Sequence, residues 1–187
     1  MAEQLKVLVP IADGSEEIET SCITDTLVRA GAAVTVATAS GEVVKMSRGL
    51  KIVADCKVDD CVDKEWDAIV IPGGMPGATN LRDSEAVTTL LKKQSGASKV
   101  TAAMCASPAV VFGTHGLLPG KAVCYPKFKD DLGDKFAGDG IPVMQDGHII
   151  TGTGPGTSLQ FALKIVEALY SKEKAEELAT GMLTTTA

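Results

Sequence analysis

The strongest constraint on how this chain folds is its run of short apolar segments separated by helix-like stretches. Residues 5–10 (Leu-Lys-Val-Leu-Val-Pro) form a continuous apolar run of strand length. Such a run, without polar alternation, suits a central parallel strand covered on both faces. A helix is expected from about residue 16 to 30, stopping at Gly31, with Ile18, Cys22, Ile23, Leu27 and Ala30 on its apolar side. Asp13 or Ser15 offers an N-cap, and Asp13 with Glu16 has capping-box spacing. Residues 33–38 then read as a second strand, so 5–38 makes a βαβ unit with a right-handed crossover.

The pattern continues to the end of the chain. Short strands are expected at 43–46 and 50–54 around the turn Ser47-Arg48-Gly49, and 55–66 reads as a polar loop with a short strand or helical turn. Residues 67–71 form a strand that stops at Pro72-Gly73-Gly74, and 75–80 reads as a loop. A helix over 84–94 turns Val87, Leu90 and Leu91 inward. Strand 99–103 leads to Cys105 and to a short helix from Pro108 to about residue 114, with Ser107 as cap and Pro108 in the first turn. A strand is expected at 122–125, and a hairpin at 143–144 and 149–151 around Asp146-Gly147. Leu159, Ala162, Leu163, Val166 and Leu169 fit a helix over 155–170, and 172–178 extends as a terminal helix. No repeat or linker interrupts the 187 residues, so the pattern predicts one doubly wound α/β domain.

Composition narrows the function classes. Hydrophobic residues make up 45% and aromatics 4%, so the core must be aliphatic. A net charge of −6 argues against nucleic acid or an anionic membrane as partner. Lys92-Lys93 and the pair Lys127 and Lys129 read as solvated faces. There is no 18-residue apolar run and no signal-peptide core at the start, so neither a membrane span nor secretion is expected. Five cysteines without a CxxC pair point to reduced thiols and a cytoplasmic protein. Cys56 and Cys61 lack a nearby His, and no metal site is expected.

In open parallel sheets, ligands bind beyond the C-terminal strand ends. Three features fall there: residues 13–19, Pro72-Gly73-Gly74, and Cys105. Cys105 lies at a strand-to-helix corner among Ala102, Ala103, Ala106 and Ser107, the setting of a nucleophile elbow, although G-x-S-x-G is absent. Small neighbours expose the sulfur, and helix N–H groups favour thiolate. The alternative is a buried packing cysteine. The two glycines can present unobstructed N–H groups as an oxyanion cradle, or can simply serve a loop of unusual backbone angles. Glu16, Glu17 and Glu19 crowd the first helical turn, where any acid complements the helix dipole; Glu19 can also face the sulfur. Neither His115 nor His148 has a spacing that ties it to Cys105.

Four ordered segments carry a resemblance: Ala-Asp-Gly-Ser-Glu-Glu-Ile-Glu-Thr (12–20), Ile-Pro-Gly-Gly (71–74), Ala-Ala-Met-Cys-Ala-Ser-Pro-Ala (102–109) and Gly-Pro-Gly-Thr-Ser (154–158). Together they resemble the DJ-1/ThiJ/PfpI superfamily, most closely its DJ-1 branch, almost end to end. The resemblance implies a flavodoxin-like, mostly parallel sheet with helices on both faces, no cofactor, and a homodimer. It implies that Cys105 is the nucleophilic, oxidation-sensitive cysteine and Glu19 the protonated acid bonded to it. Gly74 and Ala106 match the backbone donors, and Arg48 and Arg29 match interface arginines. Where relatives carry His before Pro, this chain has Tyr125, so a base at that His does not carry over.

The activity implied is that of a glyoxalase or protein deglycase acting on methylglyoxal, glyoxal or their early protein adducts. The alternative is a redox sensor and chaperone working through oxidation of Cys105. Protease activity, known among PfpI-type members, is disfavoured because no base is paired with the thiol. A helix N-terminus shifts a thiol from about 8.5 by about one unit, and a charge-assisted hydrogen bond adds roughly 1.5–3 kcal/mol. A protonated Glu19 would therefore favour a Cys105 thiolate, and an ionised one would oppose it.

Overall fold

The expected strands form, each within one or two residues of its predicted span, except 122–125. The structure, a computed structural model, describes residues 4–187. In chain order it runs β1 (Lys6–Ile11), α1 (Glu17–Ala30), β2 (Ala33–Thr38), β3 (Val43–Lys45), β4 (Lys51–Val53), β5 (Cys56–Lys57) and β6 (Ala68–Ile71). Then follow α2 (Gly77–Asp83), α3 (Glu85–Gly96), β7 (Val100–Met104), a π-helical turn over Pro108–Gly113, and α4 (Lys129–Leu132). The chain ends with β8 (Val143–Asp146), β9 (Ile149–Gly152), α5 (Ser158–Leu169) and α6 (Lys172–Gly181).

Seven strands share one sheet in the order β5-β2-β1-β6-β7-β9-β8, and β3 and β4 form a separate antiparallel hairpin. Every neighbouring pair in the large sheet is parallel except β8 with β9. From β1 the chain winds outward to β2 and β5, and from β6 it winds the other way. The strand order therefore reverses between β1 and β6, which puts the ligand crevice beyond their C-terminal ends.

Strand residues alternate between two apolar layers, as the period of two requires. Val7, Val9, Val70, Ala102 and Met104 pack against Ile23 and Leu27 of α1 and Phe161 and Ile165 of α5. Leu8, Ile69, Ile71 and Ala103 pack on the other face with Val87, Leu90 and Leu91 of α3 and Phe112. This is a flavodoxin-like α/β fold in a single domain. No helix among the described residues is long and apolar enough to cross a membrane.

Four local expectations are corrected. Glu16, rather than Asp13 or Ser15, caps α1: its carboxylate accepts from Glu19 N at 2.8 Å, while Asp13 Oδ1 accepts from Lys45 N and Ser15 Oγ from Ala12 N. The buried stripe of α1 runs through Glu19, Ile23, Thr26, Leu27 and Ala30, leaving Ile18 53% exposed and Cys22 half-buried. Residues 77–80 of the expected loop instead begin α2, which runs on to Asp83 and is held by the burial of Ala78 and Leu81. The 122–125 segment is not a strand, although Ala122, Val123 and Cys124 are buried. Its N–H groups go to Lys135 O, to the Thr151 hydroxyl and to Cys105 O in place of a ladder.

Close packing between α2 and the loop after β1 fixes the crevice. A Cβ on Gly77 would press on the Ser15 backbone and come within 2.6 Å of the Gly14 carbonyl carbon. Backbone cannot yield as a side chain can. Gly77→Ala is therefore expected to cost ~1–3 kcal/mol, as overpacking does. Urea unfolding checks this, and an unchanged midpoint contradicts it.

Candidate active site

Cys105 follows β7 with φ of +61°, the left-handed region that a side chain seldom occupies. The corner is held on both sides: Cys105 N donates to Gly152 O at 2.9 Å, and Cys105 O accepts from Tyr125 N at 2.7 Å. Such over-determination is what lets a strained residue persist at a functional site. Gly73 leaves the space the corner needs, because a Cβ there would lie 2.5 Å from the Cys105 Cβ. Ser107 does not cap the following turn. Its backbone is already helical, and its hydroxyl donates to Pro72 O at 2.5 Å, tying the elbow to the loop after β6. The turn itself is π-helical rather than an ordinary short helix.

Glu19 is fully buried and reaches the same point from α1. Its Oε2 accepts from Gly73 N at 2.6 Å. Its Oε1 is buried without a hydrogen-bond partner, and the carboxyl lies within hydrogen-bond reach of the Cys105 thiol. Burial pushes the Glu19 carboxyl up to about 7, against the pull of the Gly73 N–H. Burial also pushes the Cys105 thiol up, as does the Glu19 carboxylate, while the N–H groups of Gly74 and Ala106 pull it down. Two charges in contact and out of water cannot both persist, so the two groups titrate as a coupled pair.

The sulfur opens onto a cavity of about 330 Å³ whose wall includes Gly74, Ala106, Arg48, Tyr125 and Lys127. Cys105, Glu19, Gly74, Ala106, Tyr125 and Arg48 are thus gathered at one place. Arg29 is not: it ends α1, paired with Asp25 at 2.7 Å, about 15 Å along the helix from Glu19. Lys127, read as part of a solvated face, instead stands in the cavity wall with Met75 and Pro155. His115 bonds to Thr88 and Arg82 O, and His148 to Ser95, so both are engaged elsewhere.

The hairpin that carries Arg48 is fastened by Glu17. Its carboxylate accepts from the Ser47 hydroxyl at 2.9 Å, Arg48 N at 2.9 Å and Leu50 N at 3.4 Å. Slight burial pushes this carboxyl up, but its own N–H and those three donors outweigh it and hold it below its ordinary value. Glu17→Ala is expected to raise KM for any substrate of this cavity several-fold while leaving kcat nearly unchanged. Equal effects on both would assign Glu17 to the chemistry instead. Since the folded value is the lower one, the contribution of Glu17 to stability is present above its unfolded value and is lost as pH falls through the folded one.

Fold and site together define an α/β protein with a cysteine elbow beside a buried acid. The DJ-1/PfpI family model matches residues 5–168, and the chain belongs to that family. Protein DJ-1 homolog B of Arabidopsis thaliana is 46% identical over 180 residues, 95% of this chain but 41% of that longer relative, so the chain spans less than half its length. Glutathione-independent glyoxalase DJR-1.2 of Caenorhabditis elegans is 39% identical over 175 residues, 92% of this chain and 91% of that one. The solved structure of oxidized Toxoplasma gondii DJ-1 superposes with a TM-score of 0.94 at 48% identity, covering 97% of this chain and 99% of that one.

Proposed function

We propose that this chain is a cofactor-independent glyoxalase of the DJ-1 type, acting on methylglyoxal and glyoxal. The observation that carries the reading is the orphaned Glu19 Oε1 beside Cys105. A carboxylate would leave that oxygen with only the weak S–H donor of a protonated Cys105. A carboxylic acid satisfies both oxygens, with Oε2 accepting from Gly73 and Oε1–H donating to the sulfur. The charge then rests on Cys105, facing the Gly74 and Ala106 N–H groups.

The thiolate adds to the aldehyde carbon, and the new oxyanion takes the proton of Glu19, giving a hemithioacetal. The Glu19 carboxylate removes the proton from that carbon while the neighbouring carbonyl oxygen takes up the hydroxyl proton, and the enediolate so formed receives the proton of Glu19 on the neighbouring carbon. The aldehyde carbon is thereby oxidised and its neighbour reduced, with no outside electron acceptor, and the product is a hydroxyacyl thioester. Water attacks the thioester, the C–S bond breaks, and a hydroxy acid leaves with Cys105 restored. Acid quenching during turnover is expected to trap a hydroxyacyl group on the Cys105 peptide. An unmodified peptide at steady turnover contradicts the covalent route.

Deglycation would begin one step later, from a hemithioacetal or aminocarbinol already on a protein side chain, and the cavity is larger than a three-carbon dicarbonyl needs. Release of hydroxy acid from a glycated thiol, with free dicarbonyl scavenged, separates this from scavenging alone. The Toxoplasma relative is known in an oxidized form, which supports a second role for this chain: Cys105 oxidises and the protein acts as redox sensor and chaperone. Peroxide-dependent suppression of client aggregation without dicarbonyl turnover would favour that role.

A homodimer is supported by the exposed apolar residues Ile18 and Val28 on α1 and Val43, Leu50 and Val53 on the hairpin, of which Ile18 and Leu50 share one shallow depression. A monomer at micromolar concentration by sedimentation would refute it.

A further inference from the structure

A second pair of sulfurs lies apart from the elbow, at the edge of the sheet. Cys56 occupies β5, the outermost strand on that side, and Cys61 closes the 3₁₀ turn Val58–Cys61 that follows it. Their sulfurs are 3.5 Å apart. Both are free thiols, with Cys56 half-buried and Cys61 fully buried. We infer that Cys56 and Cys61 form a reversible intrachain disulfide when the protein meets a hydroperoxide, a modification site independent of Cys105.

The geometry sets the roles. A disulfide needs sulfurs about 2.05 Å apart, so closure requires an approach of about 1.5 Å, a small side-chain rotation for half-exposed Cys56. Cys61 is held as the thiol, pushed up to about 12 by burial and by the facing Cys56, and its sulfur also contacts Lys57 O at 3.7 Å. Cys56 therefore meets the oxidant first. Its thiolate attacks the peroxide, the O–O bond breaks, and Cys56 becomes a sulfenic acid while the alcohol, or water from hydrogen peroxide, departs. Cys61 then attacks the sulfenic sulfur. The S–S bond forms, the S–O bond breaks, and the expelled hydroxide leaves as water with the Cys61 proton. Two electrons pass to one peroxide, and a dithiol such as dithiothreitol returns them.

The site carries its own reporter. Trp66, the single tryptophan of the chain, is buried in the same apolar layer as Cys61 and donates Nε1–H to Cys61 O at 3.3 Å. Wild-type protein treated with one equivalent of hydrogen peroxide should give a peptide in which Cys56 and Cys61 are joined, with the loss of two hydrogens by mass. Trp66 emission should fall in step and recover with dithiothreitol. Cys105→Ser should retain both signals, while Cys56→Ser and Cys61→Ser should each lose them and keep dicarbonyl turnover. The inference is overturned if Cys56 and Cys61 stay alkylatable after peroxide. It is equally overturned if Cys56 accumulates sulfinic acid without the bridge. Because the readout is the bridge itself, it stands or fails separately from the glyoxalase reading.

Discussion

Replacing Cys105 with Ser is expected to lower hydroxy-acid formation from methylglyoxal by on the order of 10³-fold or more, with the fold intact. The loss is large because the nucleophile is what every later step is built upon. The proposed route offers a serine hydroxyl no general base: His115 and His148 are bonded elsewhere, and Glu19 begins that route as an acid. Gly74 and Ala106 assist an anion that is already present but cannot create an alkoxide. The side chains are nearly isosteric, and the bonds holding the corner are made by the backbone, to Gly152 O and from Tyr125 N. The thermal midpoint should therefore stay close to that of the wild type. Activity of Cys105→Ser near the wild-type level would remove the thiol from the mechanism.

Glu19 should divide into two separable roles. In Glu19→Gln the amide oxygen can still accept from Gly73 N, and the amide N–H can still face the sulfur, so much of the thiolate should survive. The proton shuttle does not survive, and kcat is expected to fall about 10²–10⁴-fold, the usual range for general acid–base catalysis. Glu19→Leu removes the donor as well, raises the apparent pKa of Cys105, and orphans the buried Gly73 N–H at a cost of about 1–3 kcal/mol. Ultraviolet absorbance of the thiolate against pH distinguishes the variants. An unshifted titration in Glu19→Leu would mean that Glu19 does not bond the sulfur. Stability carries a related sign. Glu19 binds its proton more tightly when folded, so its contribution is complete below the unfolded value of 4.5 and is lost as pH rises through about 7. Glu19→Gln should therefore gain on the wild type as the solution becomes alkaline.

The fold was largely legible in the sequence, and particular residues show why. Apolar runs such as 5–10, broken only by Lys6 at the exposed start of β1, show no polar alternation and so read as inner strands, and Gly31 stops α1 with φ of +100° where the pattern ends. Segment 122–125 misled because it is as apolar as a strand, while its hydrogen bonds go to a threonine hydroxyl and to loop carbonyls that no local pattern reveals. The stripe of α1 misled for a related reason. A rule that counts apolar residues chooses Ile18 and rejects Glu19, yet the helix buries Glu19 because Gly73 and Cys105 receive it there.

The candidate site was legible in parts. Cys105, Gly74, Ala106 and Glu19 each fall at a strand end or on a first helical turn, so topology alone assembles them. Lys127 and the anchoring role of Glu17 were hidden, since the first depends on where the chain travels after Pro126 and the second on a hairpin docked from 30 residues away. The 3.5 Å approach of Cys56 and Cys61 was likewise invisible, because a spacing of five brings two sulfurs together only if a tight turn intervenes.

The most direct measurement of the central claim is hydroxy-acid formation by the purified wild-type protein given methylglyoxal alone, without glutathione, followed by proton NMR. Catalytic lactate formation, with many turnovers per Cys105, is the predicted result. Absence of lactate, while Cys105 still oxidises selectively at low peroxide, would contradict the enzyme reading and leave the sensor in its place.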